Sequence, residues 1–195
     1  MIPNLQESAL KVFQLCIDNK IELSIDWIPR SLNEQADELS KRRDHDDWQV
    51  QQHIFSFLNA AVGPFSIDCF ATNLSAKVNR FYAKFCCAGV TGIDAFAFNW
   101  AGEMAWMVPP PSLIIATISH CKLCKARGVL VAPKWKSAAF WPFLKQADVW
   151  VPGVKLLYEY ANPVNFFEKG PFGNEVFSKA RFGSNVLILG IDFQE

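Results

Sequence analysis

The stretch from Phe65 to Pro111 constrains this chain more than any other. It opens with an apolar run ending on a carboxylate, Phe65-Ser66-Ile67-Asp68, and continues through Cys69-Phe70-Ala71-Thr72. A polar, basic loop follows, with Asn73, Lys77, Asn79, Arg80 and Tyr82. A second acid, Asp94, precedes the aromatic run Phe96-Ala97-Phe98-Asn99-Trp100. The stretch closes on Ala105-Trp106-Met107-Val108 and the three prolines Pro109 to Pro111. Strand ends that carry acids, with a proline turn beside them, are how an open α/β sheet builds a pocket at the carboxyl edge of its strands.

The rest of the chain reads as alternating helices and strands around this centre. Ala9, Val12, Phe13 and Cys16 recur at spacings of three and four, which predicts an amphipathic helix over 7–18. Ile21, Leu23, Ile25 and Trp27 alternate with Glu22, Ser24, Asp26 and Ile28, which predicts a strand with one buried face, ended by Pro29. Asn33 suits the N-cap of a short helix. The mixed-charge run Lys41-Arg42-Arg43-Asp44-His45-Asp46-Asp47 reads as a solvated linker. Its His and Asp side chains are also of the type that holds a hard cation.

Beyond the linker, Val50, Ile54, Phe57 and Leu58 predict a helix over 48–60, stopped by Gly63-Pro64. A helix over 112–126 carries His120, Cys121 and Cys124; core thiols and a partial zinc site are both open readings of that pair. Val129 to Ala132 is the all-apolar run of a strand buried on both faces. The fold expected is three-layer, mostly parallel α/β, with strands near 21–28, 65–70, 92–98, 104–108, 129–132, 154–160 and 186–192. A short helix-strand-helix appendage with its linker occupies 1–47, the α/β core 48–150, and strands with an aromatic loop that complete the sheet 151–195.

Composition narrows the function classes. Hydrophobic residues make up 51% of the chain and aromatics 14%, which excludes a disordered tail. The formal net charge is +0, so any contact with DNA or RNA rests on a local patch. Lys77, Arg80 and Tyr82 in the loop, and Lys134 beside Trp135, are the candidates; solvated surface is the competing reading for each. Trp100, Trp106 and Phe98 read as core. No apolar run reaches the roughly 18 residues of a membrane span. The polar start and six unpatterned cysteines suggest an intracellular protein, cytoplasmic or nuclear, with reduced thiols.

Two groups of residues carry resemblances. Trp27-Ile28-Pro29-Arg30, Asn33, Ala36-Asp37 and Leu39-Ser40 resemble the closing strand and helix of a retroelement ribonuclease H. The resemblance puts Asp37 in the place of that family's last metal-binding carboxylate. One Asp does not hold a two-ion site, so Mg²⁺ is implied only where another chain, such as a retroelement polymerase, supplies the other acids. The second group is Gly63-Pro64-Phe65, Ile67-Asp68, Ala71-Thr72, Lys77, Arg80-Phe81-Tyr82, Trp100, Trp106, Pro109 to Pro111, Val129 to Pro133 and Trp141. It resembles a domain found downstream of ribonuclease H in DIRS-type retrotransposons, which encode a tyrosine recombinase. That domain is similar to phage-type DNA adenine N-6 methyltransferases, so a Rossmann-like fold and an S-adenosylmethionine site are implied. By the resemblance Asp68 and Asp94 meet that cofactor; otherwise each is an acid at a turn.

In the methyltransferases an Asn- or Asp-Pro-Pro-Tyr loop accepts hydrogen bonds from the amine and stacks on the flipped base. Here the loop is Val108-Pro109-Pro110-Pro111, with no side-chain acceptor and no aromatic face. The expectation is a degenerate, catalytically silent methyltransferase-like domain that binds a nucleotide or nucleic acid. The alternatives are an active adenine methyltransferase with an unusual loop, and a ribonuclease H piece completed by another polypeptide.

Overall fold

The computed structural model describes residues 5–34, 38, 44–161, 166–170, 173–177 and 182–194. The chain divides into two units, Met1–Arg42 and Arg43–Glu195.

The first unit contains helix α1 (Leu5–Asp18) and a 3-10 turn at Arg30–Leu32. A Glu7–Lys11 ion pair one turn apart, at 3.1 Å, spans the start of α1. Lys20, at φ 53°, ends the helical path. The strand expected over 21–28 is not formed. A strand exists only through a ladder, and no partner strand lies among the described residues of this unit. Asp37 and most of the helix expected around it lie outside the described residues.

The second unit starts with β1 (Trp48–Val50), where the sequence predicts a helix. Trp48 and Val50 are buried and Gln49 is not, so this triplet has the period of a strand. It pairs antiparallel with β10 (Phe167–Lys169), and the helix, α2 (Gln52–Val62), begins only after it. Then come β2 (Ile67–Asp68), β3 (Tyr82–Ala83), β4 (Gly92–Ile93), β5 (Met104–Met107), α3 (Ile114–Cys124) and β6 (Arg127–Pro133). A short α4 (Trp141–Leu144) leads to the β7–β8 hairpin (Lys145–Gln146, Val149–Trp150), β9 (Val154–Tyr160) and, after β10, β11 (Val186–Asp192).

Five strands form one sheet in the order β2-β5-β6-β11-β9. β2, β5 and β6 are parallel; β11 runs antiparallel to both its neighbours. The class is therefore mixed α/β, not mostly parallel throughout. The strand expected over 92–98 is corrected too. Only Gly92–Ile93 pairs, with β3 and outside the main sheet. Asp94 then turns the chain at φ 63°, and its carboxylate accepts the Phe96 N–H, starting a 3-10 turn at Ala95–Ala97.

Alternation along β6 and β11 sorts the core onto two faces. Val129, Val131, Val186 and Ile188 pack with Ile54, Phe55 and Leu58 of α2 and with Trp106. Leu130, Ala132, Leu187 and Leu189 pack with Ile114, Ile118 and Cys121 of α3. A buried aliphatic side chain of this kind contributes about 1.5–3 kcal/mol. Gly128 is required where β6 meets β5, because a Cβ there would run into the Ala105 carbonyl.

Candidate functional site

A cavity of about 300 Å³ lies past the carboxyl ends of β2 and β5. The chain leaving β2 supplies Cys69, Phe70 and Ala71, and the chain leaving β5 supplies Pro110 and Leu113. Lys84 comes from the end of β3, and Asp94, Ala95 and Phe96 from the end of β4. Asp44, Asp46 and Asp47 close it from the segment before β1. Four carboxylates thus face one ammonium across walls that include two phenyl rings.

The three early aspartates are a correction, since 41–47 reads as a solvated linker. Residues 44–47 instead belong to the second unit and are bonded to its later segments. Asp46 Oδ1 accepts from Asn174 Nδ2 at 2.9 Å, and the Asp47 carbonyl accepts from the Gly170 N–H at 2.9 Å. Asp44 and Asp46 each lie 3.6 Å from Lys84 Nζ. Asp47 is buried, with Thr72 Oγ1 at 3.5 Å. Burial raises its pKa, partly offset by hydrogen bonds from Ser75 and Thr72. The signal in the sequence is an acid run abutting Trp48-Gln49-Val50. A charge run followed directly by a buried strand is pulled to the protein surface by it.

Asp94 lines the cavity while its Oδ1 holds the Phe96 N–H at 3.1 Å. Asp68 does not line it. It is 2% exposed and caps the turn after β2, accepting from the Phe70 N–H at 3.3 Å and the Lys77 N–H at 3.1 Å. Burial lifts its pKa to about 7 against the pull of those two donors and of the Lys77 charge. Of the two acids singled out together, the structure brings only Asp94 to the cavity wall.

Val108 is half-buried and packs into the α2-side core. Val108, Pro109 and Pro110 face Trp48, Phe167 and Phe177 across a residual space of about 10 Å³. Phe177 stacks on Phe167 at 4.3 Å and meets Trp48 edge-on at 5.4 Å. A nucleobase has no room there. Pro111 opens the 3-10 turn Pro111–Leu113 that leads into α3.

None of the basic and aromatic residues Lys77, Arg80, Tyr82 and Lys134 lines the cavity. Lys77 Nζ donates to Gln49 Oε1 at 2.8 Å. Arg80 forms a two-point pair with Glu103, at 2.9 and 3.1 Å. Tyr82 is buried and stacked on Phe98, with centroids 4.6 Å apart. Lys134 pairs with Glu159 at 2.6 Å. Each is engaged within the fold. Cys121 is buried with its thiol donating to Met107 Sδ at 3.4 Å, and Cys124 lies 3.3 Å from His120 Nε2. Among the described residues no three His, Cys, Asp or Glu side chains converge in a metal-binding arrangement.

A larger groove of about 720 Å³ runs along the opposite, amino ends of β2, β5 and β6, past Ser66, Met104 and Arg127. It is wide open, and five of the residues along it are glycines. The smaller cavity is the better site because carboxylates and rings meet there. No family model and no curated protein matches this chain. Among the described residues no helix is long and apolar enough to cross a membrane.

Proposed function

We propose that this chain is a retroelement-derived, methyltransferase-like domain of Rossmann-like, three-layer design that binds a nucleoside-type ligand and transfers no methyl group. The observation that carries the reading is the division of labour around Pro110. On one side of it lies a roomy cavity with carboxylates and phenyl rings; on the other, the space beside Val108 is filled by aromatic side chains.

The donor set suits S-adenosylmethionine. Carboxylates at Asp44, Asp46 and Asp94 match its ammonium, sulfonium and ribose hydroxyls, and Phe70 and Phe96 offer apolar walls to an adenine. When bound, that molecule supplies an electrophilic methyl group. The chain's own residues would hold and orient it, and shield it through the apolar walls. What they do not supply is a side-chain acceptor for the amine to be methylated: the Val108 side chain is hydrocarbon and Pro111 has no aromatic face to stack on a base.

The test has two arms. S-adenosylmethionine at a hundred times its dissociation constant raises the unfolding free energy by about 2.7 kcal/mol, so the thermal midpoint rises. Tritiated methyl transfer to unmethylated DNA stays at the level of a heat-killed control. An unmoved midpoint rules out the ligand, and transfer above the control restores the active-enzyme alternative.

A further inference from the structure

Residues 21–29 form a segment without helix or paired strand, bounded by the left-handed turn at Lys20 and the 3-10 turn at Arg30–Leu32. Among the described residues no backbone N–H from Glu22 to Ile28 finds an acceptor. Ile21, Leu23, Ile25 and Trp27 alternate with polar Glu22, Ser24 and Asp26, so a strand made of this segment puts them on one face; Ile25 and Trp27 are 82% and 86% exposed. α1 adds exposed Leu10, Phe13 and Ile17 at spacings of three and four. An unpaired strand with a bare apolar face is a template for another strand.

We propose that this segment pairs with the same segment of a second copy of the chain, antiparallel and centred on Ile25, with the two α1 helices covering the shared apolar face. Charge excludes two registers. A parallel, in-register pair sets Glu22 against Glu22 and Asp26 against Asp26. An antiparallel pair centred on Ser24 sets Glu22 against Asp26 twice. Like charges directly opposite are destabilising.

Centring on Ile25 sets Leu23 against Trp27, Ser24 against Asp26 and Glu22 against Ile28, with no like-charge pair. Pro29, which has no N–H to donate, then falls opposite Ile21 at the rim of the ladder, where a proline is tolerated. Centring on Leu23 draws Lys20, which is turned at φ 53°, into the ladder and leaves Trp27 beyond its end. Residue 25 is also the midpoint of the segment 21–29.

Size fits as well. Leu10, Phe13, Ile17, Ile21, Leu23, Ile25 and Trp27 are each more than half exposed. Together they offer on the order of 700 Å² per copy, near the roughly 800 Å² per partner of a standard interface. Two strands alone are marginal in water, so the helices are needed to cover them.

Size-exclusion chromatography with light scattering on the full chain, at micromolar concentration, is expected to give twice the chain mass of 22.0 kDa. I25K places two ammonium groups across the two-fold axis and returns the mass to that of one chain. With Cys16, Cys86, Cys87 and Cys124 replaced by serine, I25C cross-links under mild oxidation and S24C does not. A monomeric mass for the unaltered chain, a dimer that I25K leaves intact, or cross-linking of S24C in place of I25C overturns the proposal.

Discussion

Asp68 shows how one residue type serves two readings that only burial separates. As an acid at a strand end it looks like a ligand contact, yet the structure turns it inward onto two backbone N–H groups. Burial makes its charge costly, and its folded pKa of about 7 lies above the ordinary 3.8. The folded state therefore holds a proton that the unfolded state has released across that interval, and stability falls as pH rises through it. The stabilisation is complete below pH 3.8 and gone above about pH 7. The interval corresponds to roughly 4 kcal/mol at most. Asp47, also raised by burial, adds in the same direction. Denaturant midpoints should drop between about pH 4 and pH 7, and D68N should remove most of that slope; an unchanged slope in D68N would place the proton elsewhere. Nothing in the sequence distinguishes a buried turn cap from a ligand-facing acid. Asp94, in a similar setting, does face the cavity.

Among the elements, the long strands are legible in the sequence and the short ones are not. β6, β9 and β11 each carry enough apolar residues in sequence to fix their faces, and they occur where the pattern puts them. Trp48–Val50 reads as part of the following helix because three residues are too few to show a period. The aromatic run after Asp94 has strand-like composition, but the aspartate's own cap and positive φ redirect it into a 3-10 turn. The segment 21–29 has the right alternation and lacks a partner among the described residues, which no local pattern reports. Close approach of β5 and β6 gives a prediction at this scale. G128A drives a methyl group into the Ala105 carbonyl across the ladder. Relief requires the two strands to part, and overpacking of this kind costs about 1–3 kcal/mol or more. A chemical denaturation midpoint equal to that of the unaltered chain would mean that β5 and β6 are less tightly joined than described.

For the whole molecule, both main core clusters draw only on residues from Val50 onward. The second unit should therefore fold without the first. A chain beginning at Arg43 is expected to unfold cooperatively within about 2 °C of the full chain's midpoint. A broad or strongly lowered transition would show that residues 1–42 contribute to that core. The candidate site is half legible at this scale. The carboxyl edge of the sheet and the proline turn are readable from Asp68, Asp94 and Pro109 to Pro111. Three of the four carboxylates on the cavity come from before β1, because contacts with Gly170 and Asn174 anchor 44–47 there. That is a long-range consequence no local spacing contains.

Whether that cavity takes up a cationic nucleoside decides the proposed function. Calorimetric titration of the full chain with S-adenosylmethionine measures this directly, with D94N as the companion variant. An asparagine side chain at this position can keep the cap to Phe96 and tolerate the positive φ while losing the charge. The expected result is saturable one-to-one binding tighter than about 100 µM, near −5.5 kcal/mol. Binding to D94N should be roughly ten-fold weaker, the scale of one charge-assisted hydrogen bond. Absence of saturable heat, or equal affinity in D94N, would contradict the assignment of the cavity as a nucleoside site.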